Sequence, residues 1–585
     1  MANLLCESNI NFTSSSWKVL DTTSFLNSEA ASTNTTTSYV ASSVFTPGAI
    51  TIEGIMIKYR YVVTNSGTLS VDLYNSTGAS SVAGSEVTIN VSDLAFWMTA
   101  TSVQTNGGFI YLKFAAPITL AAATNYAVRV KSSVNGTVSI NRDATTANWT
   151  RALVTSTTAS ATTDDILYTC GTFTGTSTPS FITCTMNNTS STVFGGIELG
   201  GYSKFILENN AATAYILKIK NNGNFICSLN SELEFGTSGT PVDSTSSLLL
   251  EMQSSTLANN KIDFRATCKV SIYGTSRIRM TTLNADSAAA ATSLTTSIAT
   301  GWKNGDELVF GQTARSASDL TDKKSLTADA SGTTLTIAAM TNAKLGTGSI
   351  KCDIGNLTSN VKIYGTSASQ TFYINNGNLN MTVNTTIYIN DVEFRYMGSN
   401  TTFTYGFIIQ NETTAICNIK NCSFSDFGTS GRVLGLGGSS GIAKRLIFEN
   451  NVCYNITNSL NCDNPFDSTT IVKINNNFFC NNNTAFSIIR VTNAINVELN
   501  NNIISGCVSH GMSLNVFSVN PINNLIFDNL KSYGNRGMGA NISNCQSVIF
   551  SNSTWFFNNG VGLYLGDVGS VLVDSCTLFG NSNTN

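Results

Sequence analysis

A single histidine, His510, is all that the 585 residues contain. Metal sites built from several imidazoles are thereby excluded, and any histidine-activated nucleophile would rest on that one residue. Charge is scarce as well. Asp, Glu, Lys and Arg make up 11% of the chain, against roughly 25% in an average soluble domain. The formal net charge is −3, and Lys and Arg form no cluster that could neutralise phosphates, so a nucleic-acid partner is not expected. No apolar run approaches the ~18 residues that span a bilayer, so no membrane insertion is expected. The start, Met1-Ala-Asn-Leu-Leu-Cys6, offers neither the charged nor the apolar part of a signal peptide. The 14 cysteines keep no metal-ligand spacing; Cys417 and Cys422 lie closest, with no second pair beside them. They are expected to be buried thiols acting as small hydrophobes, in a chain that folds in a reducing cytoplasm. No cofactor and no metal are expected.

Asn, Thr, Ser and Gly fill the space that charge leaves. Helices need a solvated face of Glu, Lys and Arg, which is missing, whereas Thr, Ser and Asn suit strands, turns and ladders. A hydrophobic fraction of 42% is enough for a core, and the length calls for two domains or a repeat array. The fold class expected is all-β: an N-terminal β-sandwich, jelly-roll-like, followed by a parallel β-helix, whose right hand is implied by the family resemblance given below.

Residues 1–40 are polar and weakly patterned and read as an arm that docks on a partner. Over 41–150 short alternating runs recur between turn residues: Ile50–Ile57, Leu69–Tyr74, Phe109–Phe114 and Tyr126–Val130. That spacing predicts a sandwich. The stretch from Phe114 to Leu120, followed by Asn125-Tyr-Ala-Val-Arg129, resembles lectin-type sandwiches of viral and bacterial surface proteins. Residues 151–200, rich in Ser and Thr, read as a connector. The β-helix is placed at 201–585, with glycine-rich opening coils at 201–355 and regular coils at 356–585.

One motif carries the β-helix expectation. An alternating apolar run ends on a polar residue, then a second apolar run begins. The column reads Asp391, Asn421, Asn450, Asn476, Asn501, Asn529, Asn552 and Ser575, at steps of 23 to 30 residues. In a parallel β-helix successive coils stack about 4.8 Å apart, so equivalent side chains lie one above another. Asn tolerates left-handed backbone at a tight corner. Its amide can also donate to the coil above and accept from the coil below. Unequal steps imply loops of unequal size between matched coils.

Four segments in order extend the picture: Phe235-Gly-Thr-Ser-Gly-Thr-Pro241, Gly301-Trp-Lys-Asn-Gly-Asp-Glu-Leu-Val-Phe310, Leu357–Gly365 and Val392–Gly398. They resemble the glycine-rich domain plus pectin-lyase-like β-helix shared by the cell-migration-inducing hyaluronidases and fibrocystin-like proteins. The resemblance covers under a third of the chain. It implies a right-handed β-helix in an extracellular, glycan-related setting. The histidines that accompany the animal proteins' coils are missing, so no catalytic site is carried over. Similar segments occur in large virion proteins of bacteriophages, which are made in the host cytoplasm and work outside it.

The expected role is therefore structural and recognitional: a tail fibre, spike or appendage of a virus particle, located on the virion and homo-oligomeric, with a trimer among the options. Its partners would be other virion proteins through the N-terminal region and host surface polysaccharide. A β-helical polysaccharide depolymerase and a bacterial adhesin are the alternatives. For an enzyme, two carboxylates roughly 5–9.5 Å apart are needed, and Asp463 and Asp467, on one excursion between coils, are the pair to consider; solvated loop acids are the plainer reading. Asp391 with Glu393 is a second pair, better explained by a corner. Asp306 and Glu307 belong to the Trp-Gly-Asp segment, where Asp306 is expected to hold a turn through backbone N–H groups. Trp97, Trp149 and Trp302 could stack on sugar rings, though core packing is the plainer expectation for each.

Overall fold

The computed structural model describes residues 3–581 apart from short segments, the longest being 22–30, 95–108, 143–150, 377–384, 399–405, 437–444 and 464–470. Among the described residues the one helix is Val91–Leu94. Between residues 50 and 159 the strands pair antiparallel. Ile50–Val62 lies between Phe109–Leu120 and Arg151–Ala159, and Thr68–Asn75 lies between Tyr126–Ser132 and Val87–Asn90. Alternation sends Leu69, Val71 and Leu73 to one side, where they meet Ile55, Ile57, Ile110, Leu112, Val128 and Val130 in one apolar cluster. The β-sandwich proposed for 41–150 rests on this shared cluster. Arg151–Ala159, assigned above to the connector, pairs with Ile50–Val62 and so continues that sheet.

From Ile166 onward the pairing turns parallel and the chain winds through three faces. The first face runs from Ile166–Thr169 through Asn260–Phe264 and Asn458–Asp463 to the leading half of Leu563–Asp574. The second runs from Ile182–Met186 through Lys269–Tyr273 and Arg445–Glu449 to the trailing half of the same strand. The third runs from Thr192–Phe194 through Val361–Gly365 and Val452–Tyr454 to Thr577–Phe579. Stacked Ile, Leu, Val, Phe and Cys from all three faces fill the interior as one continuous cluster. Parallel stacking thus begins inside 151–200. Alternation within Ile182-Thr-Cys-Thr-Met186 buries every second residue, and its threonines disguise it as polar linker. The N-terminal segment is tied into the same stack: Asn3–Cys6 pairs parallel with Ile166–Thr169, and Ile10–Asn11 with Cys184–Thr185.

From Asp391 to the last coil the second and third faces meet at a single left-handed residue. Asp391, Asn421, Asn450, Asn476, Asn501, Asn529, Asn552 and Ser575 all hold φ between 50 and 56°. The backbone N–H of each, up to Asn552, donates to a carbonyl of the next coil, as Asn450 does to Asn475 and Asn476 to Asn500. The amide-to-amide chain expected of this column is displaced by one residue. A left-handed corner turns its own side chain toward solvent and its successor inward. Fully buried Asn451 donates through Nδ2 to Asn477 Oδ1 at 3.1 Å, and Asn477 to Asn502 Oδ1 at 3.0 Å. The same oxygens also accept a backbone N–H from the coil before, Asn477 Oδ1 that of Asn451 at 3.0 Å and Asn502 Oδ1 that of Asn477 at 3.2 Å. Side-chain bonds within the corner column itself are confined to particular coils, such as Asn529 Nδ2 to Asn501 Oδ1 at 2.9 Å.

A second left-handed column follows five residues behind the first. Tyr396, Asp426, Asn455, Asn481, Gly506, Gly534, Phe557 and Gly580 hold φ between 49 and 67°. Each third-face strand in this region is therefore a short run pinned at both ends.

Residues 280–356 depart from the coil pattern expected over 201–355. Met280–Thr282, Asp353–Asn356, Glu307–Phe310 and Asp322–Ser325 form an antiparallel sheet, with Ser293–Thr295 and Thr334–Thr336 as a separate antiparallel pair. Turns such as Asn304-Gly305, with φ +86° at the glycine, reverse the chain too soon for a coil. This module has its own core of Trp302, Leu308, Phe310, Leu335, Ile337 and Ile354. It is inserted between Lys269–Tyr273 of the second face and Val361–Gly365 of the third.

Candidate functional site

Where a β-helix can vary follows from its corners. From Asp391 onward one to four residues, one of them left-handed, separate each second-face strand from the third-face strand that follows, which leaves no room for a loop there. Insertions must leave at the junctions of the first face with its two neighbours. Residues 410–415, 437–444, 464–470, 493–495 and 518–523 join first-face strands to second-face strands, and 482–486 and 507–511 lead from the third face back to the first. The first face is thus flanked on both sides by connections of unequal length. Loops on a rigid scaffold are where recognition sites are built.

Asp463 closes the first-face strand Asn458–Asp463 and pairs in register with Thr492; residues 464–470, which follow it, lie outside the described residues. Asp467 lies outside the described residues, as do His510, Trp97 and Trp149. One register column of this face holds Asn461, Arg490, Asn515, Asn541 and Tyr564. The neighbouring column includes Leu460, Ile489 and Ile542, which belong to the core. Tyr564 is half exposed.

Nearer the start of the same face, Lys261, Asp263 and Arg265 alternate with core residues Ile262 and Phe264. Asp263 lies 3.1 Å from Lys261 Nζ and 3.3 Å from Arg265 Nε, and Arg265 Nη1 lies 4.0 Å from Glu198. Burial works to raise the Asp263 pKa, but Lys261 and Arg265 outweigh it and hold the carboxyl below its ordinary value. Such a group stays ionised near neutrality and is a poor proton donor.

The other acidic residues singled out in the sequence meet on the opposite side, under the inserted module. Asp306 accepts both Arg277 Nη1, at 2.9 Å, and the backbone N–H of Lys303, at 3.0 Å, and so holds the turn expected of it. Asn356 Nδ2 adds a third donor at 3.0 Å. Glu307 pairs with Arg395 and lies 3.5 Å from Lys323, which reaches Asp426 at 3.0 Å. Asp391 accepts the Arg277 N–H at 3.2 Å and lies 3.9 Å from Arg279. Glu393 accepts the N–H of Ser359 and the hydroxyl of Tyr364 and pairs with Arg395 at 3.1 Å. Burial pushes the Asp391 pKa up to about 6, with Arg279 pulling it partway back. Asp391 and Glu393 are almost wholly buried, so a polymeric substrate cannot reach them. Trp302 is also buried, its Nε1 donating to Ile278 O at 2.7 Å, so its ring is core.

Among the described residues no group of three His, Cys, Asp or Glu side chains is arranged to hold a metal ion. Cys227, Cys352, Cys422, Cys453 and Cys545 are buried thiols outside any disulfide. Burial raises the Cys422 pKa to about 12, which removes it as a nucleophile. Among the described residues no helix is long and apolar enough to cross a membrane.

Two features escaped sequence reasoning. The inward ladder was signalled by the doublets Asn450-Asn451, Asn476-Asn477 and Asn501-Asn502, of which only the first members were read as the column. The second left-handed column mixes Tyr, Asp, Asn, Gly and Phe and leaves no single-residue signature.

Comparison with known proteins places residues 487–585 within the family model described as "Right handed beta helix region". No curated protein matches the chain. Among solved structures, the Gp54 tailspike of Acinetobacter baumannii bacteriophage AP22, in complex with A. baumannii capsular saccharide, is 11% identical, with 67% of this chain and 70% of that chain covered and a TM-score of 0.15. The catalytic domain of GH87 α-1,3-glucanase in complex with nigerose is 10% identical, with 97% of each chain covered and a TM-score of 0.20. The tailspike gp49 from Pseudomonas phage LKA1 is 11% identical, with 65% and 70% covered and a TM-score of 0.15. No residue role is carried over from these structures.

Proposed function

We propose that this chain is a host-recognition component of a virus particle, a fibre or spike, that presents the turns beside its first face to surface glycans. The observation that carries the reading is that, from Asp391 onward, connections of unequal length lie at the two flanks of one face, while each second-to-third corner is fixed by a left-handed residue. A stacked backbone ladder resists bending, and turns on it can change without disturbing the coils. Buried thiols outside disulfides, such as Cys422 and Cys453, fit a chain folded in a reducing cytoplasm before it acts outside, and speak against a secreted adhesin. In this reading residues 1–40 join other virion proteins, the 41–150 region is a sandwich that spaces the fibre, and copies associate, with a trimer as the first assembly to test. Saturable binding on a glycan array without turnover, together with decoration of virions under the electron microscope, is the expected result. Binding to no glycan and no virion labelling would remove the reading.

A depolymerase is the second reading, favoured by one placement: Asp463 ends a first-face strand at the root of the 464–470 excursion that also holds Asp467. Two acids on one loop could supply acid and base to a glycosidic bond. Incubation with a surface polysaccharide would then lower its viscosity, and Asp463→Asn would abolish that loss. Unchanged cleavage by Asp463→Asn would take the residue out of the mechanism.

A further inference from the structure

A solenoid coil touches only the coil before and the coil after it, so such arrays fray from their ends and open in pieces. The module at 280–356, together with the segments 274–279 and 357–360 that join it to the coils, breaks that rule. It leaves the chain at the corner after Tyr273 and folds along the outer side of the third face, touching six successive coils. At the first, Arg277 and Arg279 bond around Asp391. At the second, Arg279 Nε donates to Asn421 O, and Ser423 Oγ donates to Leu357 O. At the third and fourth, Val309 and Leu357 pack with Val452, Phe478 and Cys480 in an apolar cluster separate from the solenoid interior. At the fifth, the Gln312 N–H donates to Ser505 Oγ at 2.9 Å. At the sixth, Asp353 accepts both Lys531 Nζ and Tyr533 Oη at 2.6 Å.

We infer that the module is a mechanical splint, which joins the coils from Asp391 to Tyr533 into one unit that opens together. Three details argue for a built interface. Arg279 is 3% exposed and spends its guanidinium on Asn421 O, Asn356 O, Thr358 O and Ser359 Oγ, oxygens of both bodies. The approach at the far end is so close that a methyl at Gly311 would strike Tyr533 Oη, and one at Gly355 would strike Val452. The seam is also apolar in its middle and ionic at both ends, so it seals while its register stays fixed. The long reach supplies contacts between residues up to 193 apart in sequence, which nearest-neighbour stacking cannot provide.

Native-state hydrogen exchange on the full chain tests this. In the unmodified protein, amides in Ser423–Ser425 and Lys531–Tyr533 exchange through one common opening. The wedge variant Gly311→Val, and separately the pair Asp353→Asn with Lys531→Met, raise exchange in Ile503–Ser505 and Lys531–Tyr533 at least ten-fold, and leave Ile182–Met186 unchanged. Tyr533→Phe, which removes one hydroxyl and little volume, moves the same amides the same way by a few fold, and serves if the wedge does not fold. Lys473→Met, which breaks an ion pair on the second face away from the module, changes exchange there alone. An even rise along the whole solenoid, no rise, or the same selective loss from Lys473→Met would overturn the splint.

Discussion

The first and third faces are built from the same parallel ladder and share one apolar interior, yet they meet opposite surroundings. The third face, from Asp391 to Tyr533, is bracketed by left-handed residues and covered by charged and apolar groups of the inserted module. The first face is flanked by connections of unequal length. The difference lies in the corner and not in the strand. A single residue at φ near +55° commits the chain to the next face at once, and that fixes which surface is free to diversify. It also explains why acids that look paired in sequence, Asp391 and Glu393, end as buried counter-ions of arginines, while Asp463 ends a first-face strand.

The sharpest way to break this comparison is by insertion. Four Gly/Ser residues placed within 464–470 cost less than about 1 kcal/mol, because loop closure grows slowly with length. The same four between Asn450 and Asn451 displace the register and abolish ordered stacking beyond that coil. Urea unfolding followed by tryptophan fluorescence separates the two outcomes. Next in size is Asn477→Leu. Its amide serves Asn451, Asn502 and the Phe448 carbonyl inside the stack. Several buried groups at ~1–3 kcal/mol each lose partners, so a loss of about 4 kcal/mol is expected from chemical denaturation.

Asp391 sharpens the contrast through pH. Its carboxyl titrates at about 6 in the folded chain, above its ordinary 3.8. Between those values the native state holds a proton that the unfolded chain has released, so stability falls as pH rises through the window and levels off above it. The full effect is on the order of 3 kcal/mol. Asp391→Asn flattens that slope in melting experiments between pH 4 and 7; an unchanged slope would assign it to other groups. The smallest effect is at the corner itself. Asn450→Ala costs about 1 kcal/mol because alanine resists left-handed backbone, and Asn450→Gly costs less.

Much of the fold was legible because stacking converts geometry into repetition. A corner that requires left-handed backbone selects Asn, so Asn421, Asn450, Asn476, Asn501 and Asn529 stood out in a chain with little charge to obscure them. The inward ladder was one residue away, hidden because both members of each Asn doublet fit a turn. The second column stayed invisible: Gly506 and Gly534 satisfy it through conformational freedom, while Tyr396 and Phe557 adopt it under packing, so no composition marks it. The seam was not legible at all. Asp353 and Lys531 are 178 residues apart, and nothing in either neighbourhood names the other.

The most direct measurement is hydrogen exchange across the full chain with and without the best ligand found on a glycan array. Protection confined to the first-face strands Asn458–Asp463, Ser487–Thr492 and Met512–Phe517 and the connections beside them is the predicted result. Protection centred instead on the second face at Arg445–Glu449, or on the module at 280–356, would contradict the account.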